Sequence, residues 1–139
     1  MPFVPNSKTI TEIKKEFNNI GNYFKHWAGD DQAEYKRIMD NYLCSCAGYC
    51  TATYLLGIGD RHLENLMIDK NGKFFHIDFG FVFGKEPGGK ERLASKIRIS
   101  KTMIEVMGGV GSPNYKEFEK KFVESFLILR NKSSYLLNL

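Results

Sequence analysis

At Gly57 the chain changes texture. Upstream, apolar residues recur at helical intervals; downstream comes a glycine-bounded polar cluster and then two short apolar runs, Leu66-Met67-Ile68 and Phe74-Phe75-His76-Ile77, separated by Asp69-Lys70-Asn71-Gly72. Asn-Gly between apolar runs is a strong hairpin signal because both residues tolerate positive φ, so residues 66–78 are expected to form two antiparallel strands. Everything else with periodicity reads as helix. The expected class is α+β, mainly helical, with one short β-hairpin.

Thr9 and Glu12 have the spacing of a capping box, and Ile10, Ile13, Phe17 and Ile20 follow at helical intervals, so a helix starts near Thr9. A second short helix holds Tyr23, Phe24 and Trp27. Gly29, Asp30 and Asp31 break the pattern and offer caps for a long helix containing Tyr35, Ile38, Met39, Tyr42, Cys46, Tyr49 and Thr53, ending near Gly57. Beyond the hairpin, residues 84–98 are polar, charged and glycine-rich and read as a mobile loop. Ser100 caps a short helix through Val106 that stops at Gly108-Gly109. Pro113 opens another, in which Phe118, Phe122 and Phe126 share one face and read as core, and Ser133 to Leu139 looks like the start of a further helix.

With 42% apolar and 14% aromatic residues in 139, the chain can build one compact core. A formal charge of +4 is too small for a protein that coats nucleic acid. There is no apolar run of about 18 residues and no basic start followed by a hydrophobic block, so the chain reads as cytosolic. Cys44, Cys46 and Cys50 cannot all pair, and neither His26 nor His62 completes a zinc set at the usual spacing, so they read as reduced, buried helix residues.

The chemistry sits in Gly57-Ile58-Gly59-Asp60-Arg61-His62-Leu63-Glu64-Asn65 and, after the hairpin, His76-Ile77-Asp78-Phe79-Gly80. Phosphoryl transfer needs a group to handle the nucleophile's proton and oxygen ligands for a divalent ion bridging the phosphates. Asn65 and Asp78 suit the metal role, and a tight hairpin between them brings a loop and a strand end together. His62 is an imidazole that can accept a proton near neutrality when correctly placed. His76 reads as a structural strand histidine, and Arg61 as an ion-pair partner that orients the loop.

Asp-Arg-His followed by Asn, in place of the His-Arg-Asp order of protein kinases at the same Asp-to-Asn spacing, resembles the phosphoinositide 3-kinase-related superfamily. Cys46-Ala47-Gly48-Tyr49-Cys50, Thr53-Tyr54-Leu55-Leu56-Gly57, the run from Lys73 to Gly80, Met107-Gly108-Gly109 and Leu136-Leu137-Asn138-Leu139 are most similar to its class III, Vps34-type branch. The resemblance covers almost the whole chain and implies the C-terminal lobe of a catalytic domain. That lobe would comprise a hinge at Met1 to Val4, a catalytic loop at about 57–66, an activation loop at about 78–99 and the C-lobe helices. The nucleotide-covering N-lobe and the final membrane-contacting helix are expected to be absent, leaving these residues inactive alone and apolar surface exposed on the first helices.

Residue by residue, the resemblance makes His62 the general base and Asp60 its positioning partner, with Asn65 and Asp78 holding Mg2+ or Mn2+. The backbone at Val4 would bond the adenine of ATP, and Met67 and Ile77 would floor it. Lys90, Arg92, Lys96 and Arg98, in a loop with five basic and two acidic residues, would read the headgroup of membrane phosphatidylinositol. The implied activity is phosphorylation of the 3-hydroxyl of phosphatidylinositol. Pro87-Gly88-Gly89, in place of a proline-rich stretch, keeps a phosphatidylinositol 4-kinase as the alternative, beside a non-catalytic kinase-lobe fragment or regulatory module. The implied partners are the N-lobe and helical domain of a parent kinase and a Vps15-type regulatory subunit. The implied setting is cytoplasmic, peripheral on endosomal or autophagic membranes.

Overall fold

A computed structural model describes residues 4–91 and 97–134, without the side chains of residues 90 and 91. The elements run β1 (Ser7–Thr9), α1 (Ile10–Phe17), α2 (Ile20–Ala28), α3 (Gln32–Leu56), β2 (Leu66–Asp69), β3 (Phe74–His76), β4 (Lys85–Glu86), β5 (Lys90–Glu91), α4 (Lys101–Val106) and α5 (Pro113–Asn131). Each helix start has a side-chain acceptor for an otherwise orphaned amide. Thr9 and Glu12 form the expected capping box, and Asn19, Asp31, Ser100 and Ser112 cap the later helices. Asn18, at φ 70°, splits the first apolar series, so that Phe17 ends α1 and Ile20 opens α2.

The core lies where α3 crosses α2, α5 and the sheet. Ile10, Ile13, Tyr23, Ile38, Tyr42, Cys46, Cys50, Ile68 and Met103 are fully buried there. The sheet is antiparallel in the order β1-β2-β3, with Thr9 opposite Met67 and Met67 opposite Phe75. One face, Leu66, Ile68, Phe74 and His76, is buried, and Phe74 and His76 lie 6.0 and 4.8 Å from the ring of Tyr49 on α3. The other face, with Met67 and Phe75, is half-buried.

The hairpin is where sequence expects it, but its turn differs in detail. Only Gly72 has positive φ, 81°, and the Gly72 N–H donates to the Asp69 carbonyl at 3.0 Å, giving a three-residue loop with the left-handed residue last. The Asp69 carboxylate accepts from the amides of Asn71 and Lys73 at 2.9 and 2.8 Å and fixes the loop. Helix α3 completes the turn: Asn41 donates to the Asn71 carbonyl at 2.9 Å, and Ser45 Oγ accepts the Phe74 amide at 2.9 Å. A Cβ on residue 72 would stand 2.2 Å from the Ile38 carbonyl oxygen, so the turn is pressed directly onto the helix backbone.

Several expectations need correction. Strand β1 was not foreseen, because three polar residues carry no alternation of their own. The expected mobile loop at 84–98 contains the paired strands β4 and β5, with Pro87-Gly88-Gly89 making the reversal. Cys44 is exposed, because it faces away from the core that buries Cys46 and Cys50; all three thiols are free. Of the three core phenylalanines on α5, Phe118 alone is fully buried, since the helix outruns the core. The first helices bury or half-bury their apolar residues except Trp27, and most exposed apolar side chains among the described residues lie elsewhere, including Leu55, Leu56, Phe83, Val110, Val123 and Ile128. Ser133 and Ser134 are helical, and the rest of the expected last helix lies outside the described residues.

Candidate active site

Helix α3 stops at Gly57, a left-handed cap whose N–H donates to the Thr53 carbonyl. The chain then leaves the core as an irregular segment that cannot satisfy its own amides and carbonyls. Its partners come from the segment after β3. Gly59 N–H donates to the Phe81 carbonyl at 2.9 Å, Phe83 N–H to Leu56 at 2.8 Å, and Gly84 N–H to Gly57 at 2.9 Å. The two stretches that sequence reading singled out therefore lie side by side.

Arg61 fastens them. Its Nε donates to the Gly59 carbonyl at 2.7 Å, Nη1 to the Ile77 carbonyl at 2.8 Å, and Nη2 to the Asp78 carbonyl. The guanidinium also lies 5.6 Å from the ring centroid of Phe79. Arg61 does orient the loop, as expected, but it does so through backbone carbonyls, where an ion pair was anticipated.

Asn65 is buried at the end of the loop. Its backbone carbonyl accepts the Ile77 amide at 3.0 Å, which extends the β2–β3 register by one pair and sets Asn65 opposite Ile77. Its Nδ2 donates to the Asp60 carbonyl at 2.9 Å, leaving Oδ1 as the amide's acceptor. Asp78 follows at once, exposed and at φ 56°, with Oδ1 accepting the Gly80 amide at 3.2 Å. An amide oxygen and a carboxylate are hard donors, and Mg2+ typically takes only one or two protein oxygens besides phosphates and water. Among the described residues no cluster of three or more His, Cys, Asp or Glu is placed to hold a metal alone, so the donor set fits an ion shared with a phosphate ligand.

His62 is half-exposed, with Nε2 3.9 Å from Asp60 Oδ1 and Nδ1 accepting the Glu64 amide at 3.3 Å. Asp60 itself adopts φ 53°. Its backbone is held on both sides, its amide donating to Glu86 Oε2 at 3.2 Å and its carbonyl accepting from Asn65.

Met67 and Ile77 fall on the half-buried sheet face, since Met67 is opposite Phe75 and Ile77 is two residues further along. Phe75 shares this face with them, and sequence reading did not name it although its alternation with Ile77 gives it away. Val4 is exposed, its carbonyl accepting from Ser7 Oγ at 2.7 Å. It lines a groove of about 530 Å³ with Tyr49, Lys73 and Phe75, which neither Met67 nor Ile77 lines. Of the four basic residues assigned to the headgroup, Arg92 and Lys96 lie outside the described residues, as does the side chain of Lys90. Arg98 is described, and its guanidinium is paired with Glu86.

Residues 3–139 match the family of phosphatidylinositol 3- and 4-kinases. The chain belongs to that family. It is 44% identical over 99% of its length to the phosphatidylinositol 3-kinase pik3 of Schizosaccharomyces pombe, covering 18% of that protein. It is 37% identical over its full length to phosphatidylinositol 3-kinase VPS34 of Arabidopsis thaliana, covering 17%. Against VPS34 of Saccharomyces cerevisiae it is 37% identical over 99% of its length, covering 16%. The chain thus spans under a fifth of these relatives. The mainly helical α+β architecture expected for the C-lobe of such a kinase is the one observed.

Proposed function

We propose that the chain is the C-lobe of an ATP-dependent phosphatidylinositol 3-kinase, with residues 57–66 as catalytic loop and 78–99 as activation loop. The observation that carries this reading is the three-carbonyl grip of Arg61, which binds the loop of Asp60, His62 and Asn65 to the strand end bearing Asp78. Phosphoryl transfer is mostly positioning and electrostatics, and this grip positions all four groups.

In the proposed reaction the inositol 3-hydroxyl oxygen attacks the γ-phosphorus of ATP, the bond to the departing ADP oxygen breaks, and the hydroxyl proton moves to His62. Nδ1 takes it, because that lone pair is held only by the long 3.3 Å contact to the Glu64 amide. The imidazolium so formed points Nε2–H at the Asp60 carboxylate, which stabilises its charge. Asn65 Oδ1 and the Asp78 carboxylate would hold a divalent ion, which when bound neutralises charge on the phosphate oxygens. Met67, Phe75 and Ile77 offer adenine an apolar surface. The basic residues Lys90, Arg92 and Lys96 would favour an anionic lipid surface by their charge, in keeping with peripheral action at cytoplasmic membranes.

The test uses the natural protein that contains this chain. Supplied with ATP, Mg2+ and phosphatidylinositol, it should yield the 3-phosphate on headgroup chromatography; a 4-phosphate would move it to the 4-kinases. His62→Ala should lower kcat by about 10²–10⁴. A change confined to lipid affinity would remove His62 from proton transfer.

A further inference from the structure

We infer that Glu86 is a positioning residue for the proposed transfer: its carboxylate bridges the backbone of Asp60 to Arg98, and so fixes the catalytic loop to the returning end of the activation loop. The inference rests on the proposed roles of Asp60 and His62.

Glu86 Oε2 accepts the Asp60 amide at 3.2 Å, and Oε1 accepts from Arg98 Nη2. The pair is largely shielded, with side-chain exposures of 13% for Glu86 and 24% for Arg98, so the charge-assisted bond is weakly screened. The two loops are also in backbone contact beneath it. A Cβ on residue 59 would stand 2.2 Å from the Lys85 carbonyl oxygen and 3.1 Å from the Glu86 carboxylate, so neither loop can slide past the other. Asp60 needs such restraint, because a non-glycine residue at φ 53° relaxes unless its peptide groups are held. Asn65 holds its carbonyl and Glu86 its amide.

The electrostatics point the same way. Burial lowers the Arg61 pKa; the Asp60 and Asp78 carboxylates oppose that most, while Arg98 repels the guanidinium and Glu86 attracts it more weakly, so the Glu86–Arg98 pair lies within electrostatic reach of Arg61. Arg61 is the residue that grips Asp78. One carboxylate thereby supports the backbone under Asp60 and pairs with the Arg98 guanidinium. Glu86 touches no reacting atom in this scheme, and its effect on the rate passes through the placement of Asp60 and His62.

The test combines hydrogen exchange over residues 57–66, without substrate, with steady-state kinetics on the natural protein. Glu86→Ala should speed exchange of the Asp60 amide about ten- to hundredfold, the effect of losing one bond to a charged acceptor. It should also lower kcat about 10²-fold, as small misplacements do, with KM for ATP unchanged. Glu86→Gln, which offers the Asp60 amide and the Arg98 guanidinium one acceptor oxygen where the carboxylate offers two, should fall between. Arg98→Lys keeps a cation beside Glu86 and should retain most of both readouts, whereas Arg98→Met should not. Should Glu86→Ala fail to fold, the Gln, Lys and Met variants decide by that ranking. Unchanged Asp60 exchange in Glu86→Ala, or Arg98→Lys as damaging as Arg98→Met, overturns the inference. If the wild type phosphorylates lipid and Glu86→Ala matches its kcat, the bridge is refuted and the kinase reading stands. If the wild type transfers no phosphate while Asp60 exchange still responds to Glu86, the kinase reading fails and the bridge survives.

Discussion

The helical body and the candidate-site segments are held together by different forces. In the body, apolar side chains such as Phe24, Ile38, Tyr42 and Leu43 are essentially inaccessible to solvent, and side-chain caps close the helix starts. In residues 57–65 and 77–86, Ile58 is the sole buried apolar residue, and the holding is done by hydrogen bonds that Arg61 and Asn65 donate to main-chain carbonyls and that Glu86 accepts from the Asp60 amide. Strain is unevenly shared as well. Asp60, Asp78 and Phe83, at φ 53°, 56° and 57°, lie in the candidate-site segments at roughly 1–3 kcal/mol each, whereas the body's non-glycine positive-φ residues are Asn6 and Asn18, a type that enters this region readily. The body supplies stability, and the segments use part of it to keep polar groups in one arrangement.

The sharpest way to break this contrast is to exchange the two kinds of damage. Phe24→Ala should destabilise the protein by about 3–5 kcal/mol, measured by denaturant unfolding, because it empties a closed site. Asp78→Ala should leave the unfolding midpoint nearly unchanged and abolish lipid phosphorylation; near-normal turnover would remove Asp78 from the metal role. Arg61→Met belongs to both regions. It should cost about 2 kcal/mol of stability and, by freeing the Asp78 segment, lower kcat about 10²-fold.

His76 sharpens the contrast through pH. It is buried, with neither ring nitrogen hydrogen-bonded, and burial, with Arg61 nearby, depresses its pKa to about 3. The unfolded chain takes up a proton near pH 6.5 that the folded chain refuses until about pH 3, so stability is lost as pH falls through that window. Relative to His76→Phe, the wild type should lose about 2–3 kcal/mol between pH 7 and 4.5, read from denaturation midpoints. Parallel acid curves for the two would show that His76 finds a partner in solution. The smallest effect belongs to the capping box: Thr9→Ala should cost about 1 kcal/mol and leave turnover unaltered.

Helices and hairpin were legible because each rests on signals within a few residues: Thr9 with Glu12, Asp31 before an apolar series, Asn71-Gly72 between short runs. The two short motifs that carry Asp60, His62, Asn65 and Asp78 were legible as well, and the fold sets them side by side. Strand β1 was not, because Ser7-Lys8-Thr9 pairs only through β2, some sixty residues away. The partners of Arg61 were not legible either, although its orienting role was, because they are carbonyls, which every residue possesses. Glu86 gave no sign, being one charge among many in a polar loop until the fold brings it beneath Asp60.

The turn at Gly72 limits how this family member can change over time. Its missing methyl group is opposed by the Ile38 carbonyl oxygen, which lies inside a continuous helix and has nowhere to retreat. Drift can exchange neighbours such as Lys70, whose side chain is free to vary in solvent, yet any single-nucleotide change that gives residue 72 a side chain should be purged. A deep mutational scan would register this as an isolated column of intolerance at a surface turn, easily mistaken for a contact with substrate.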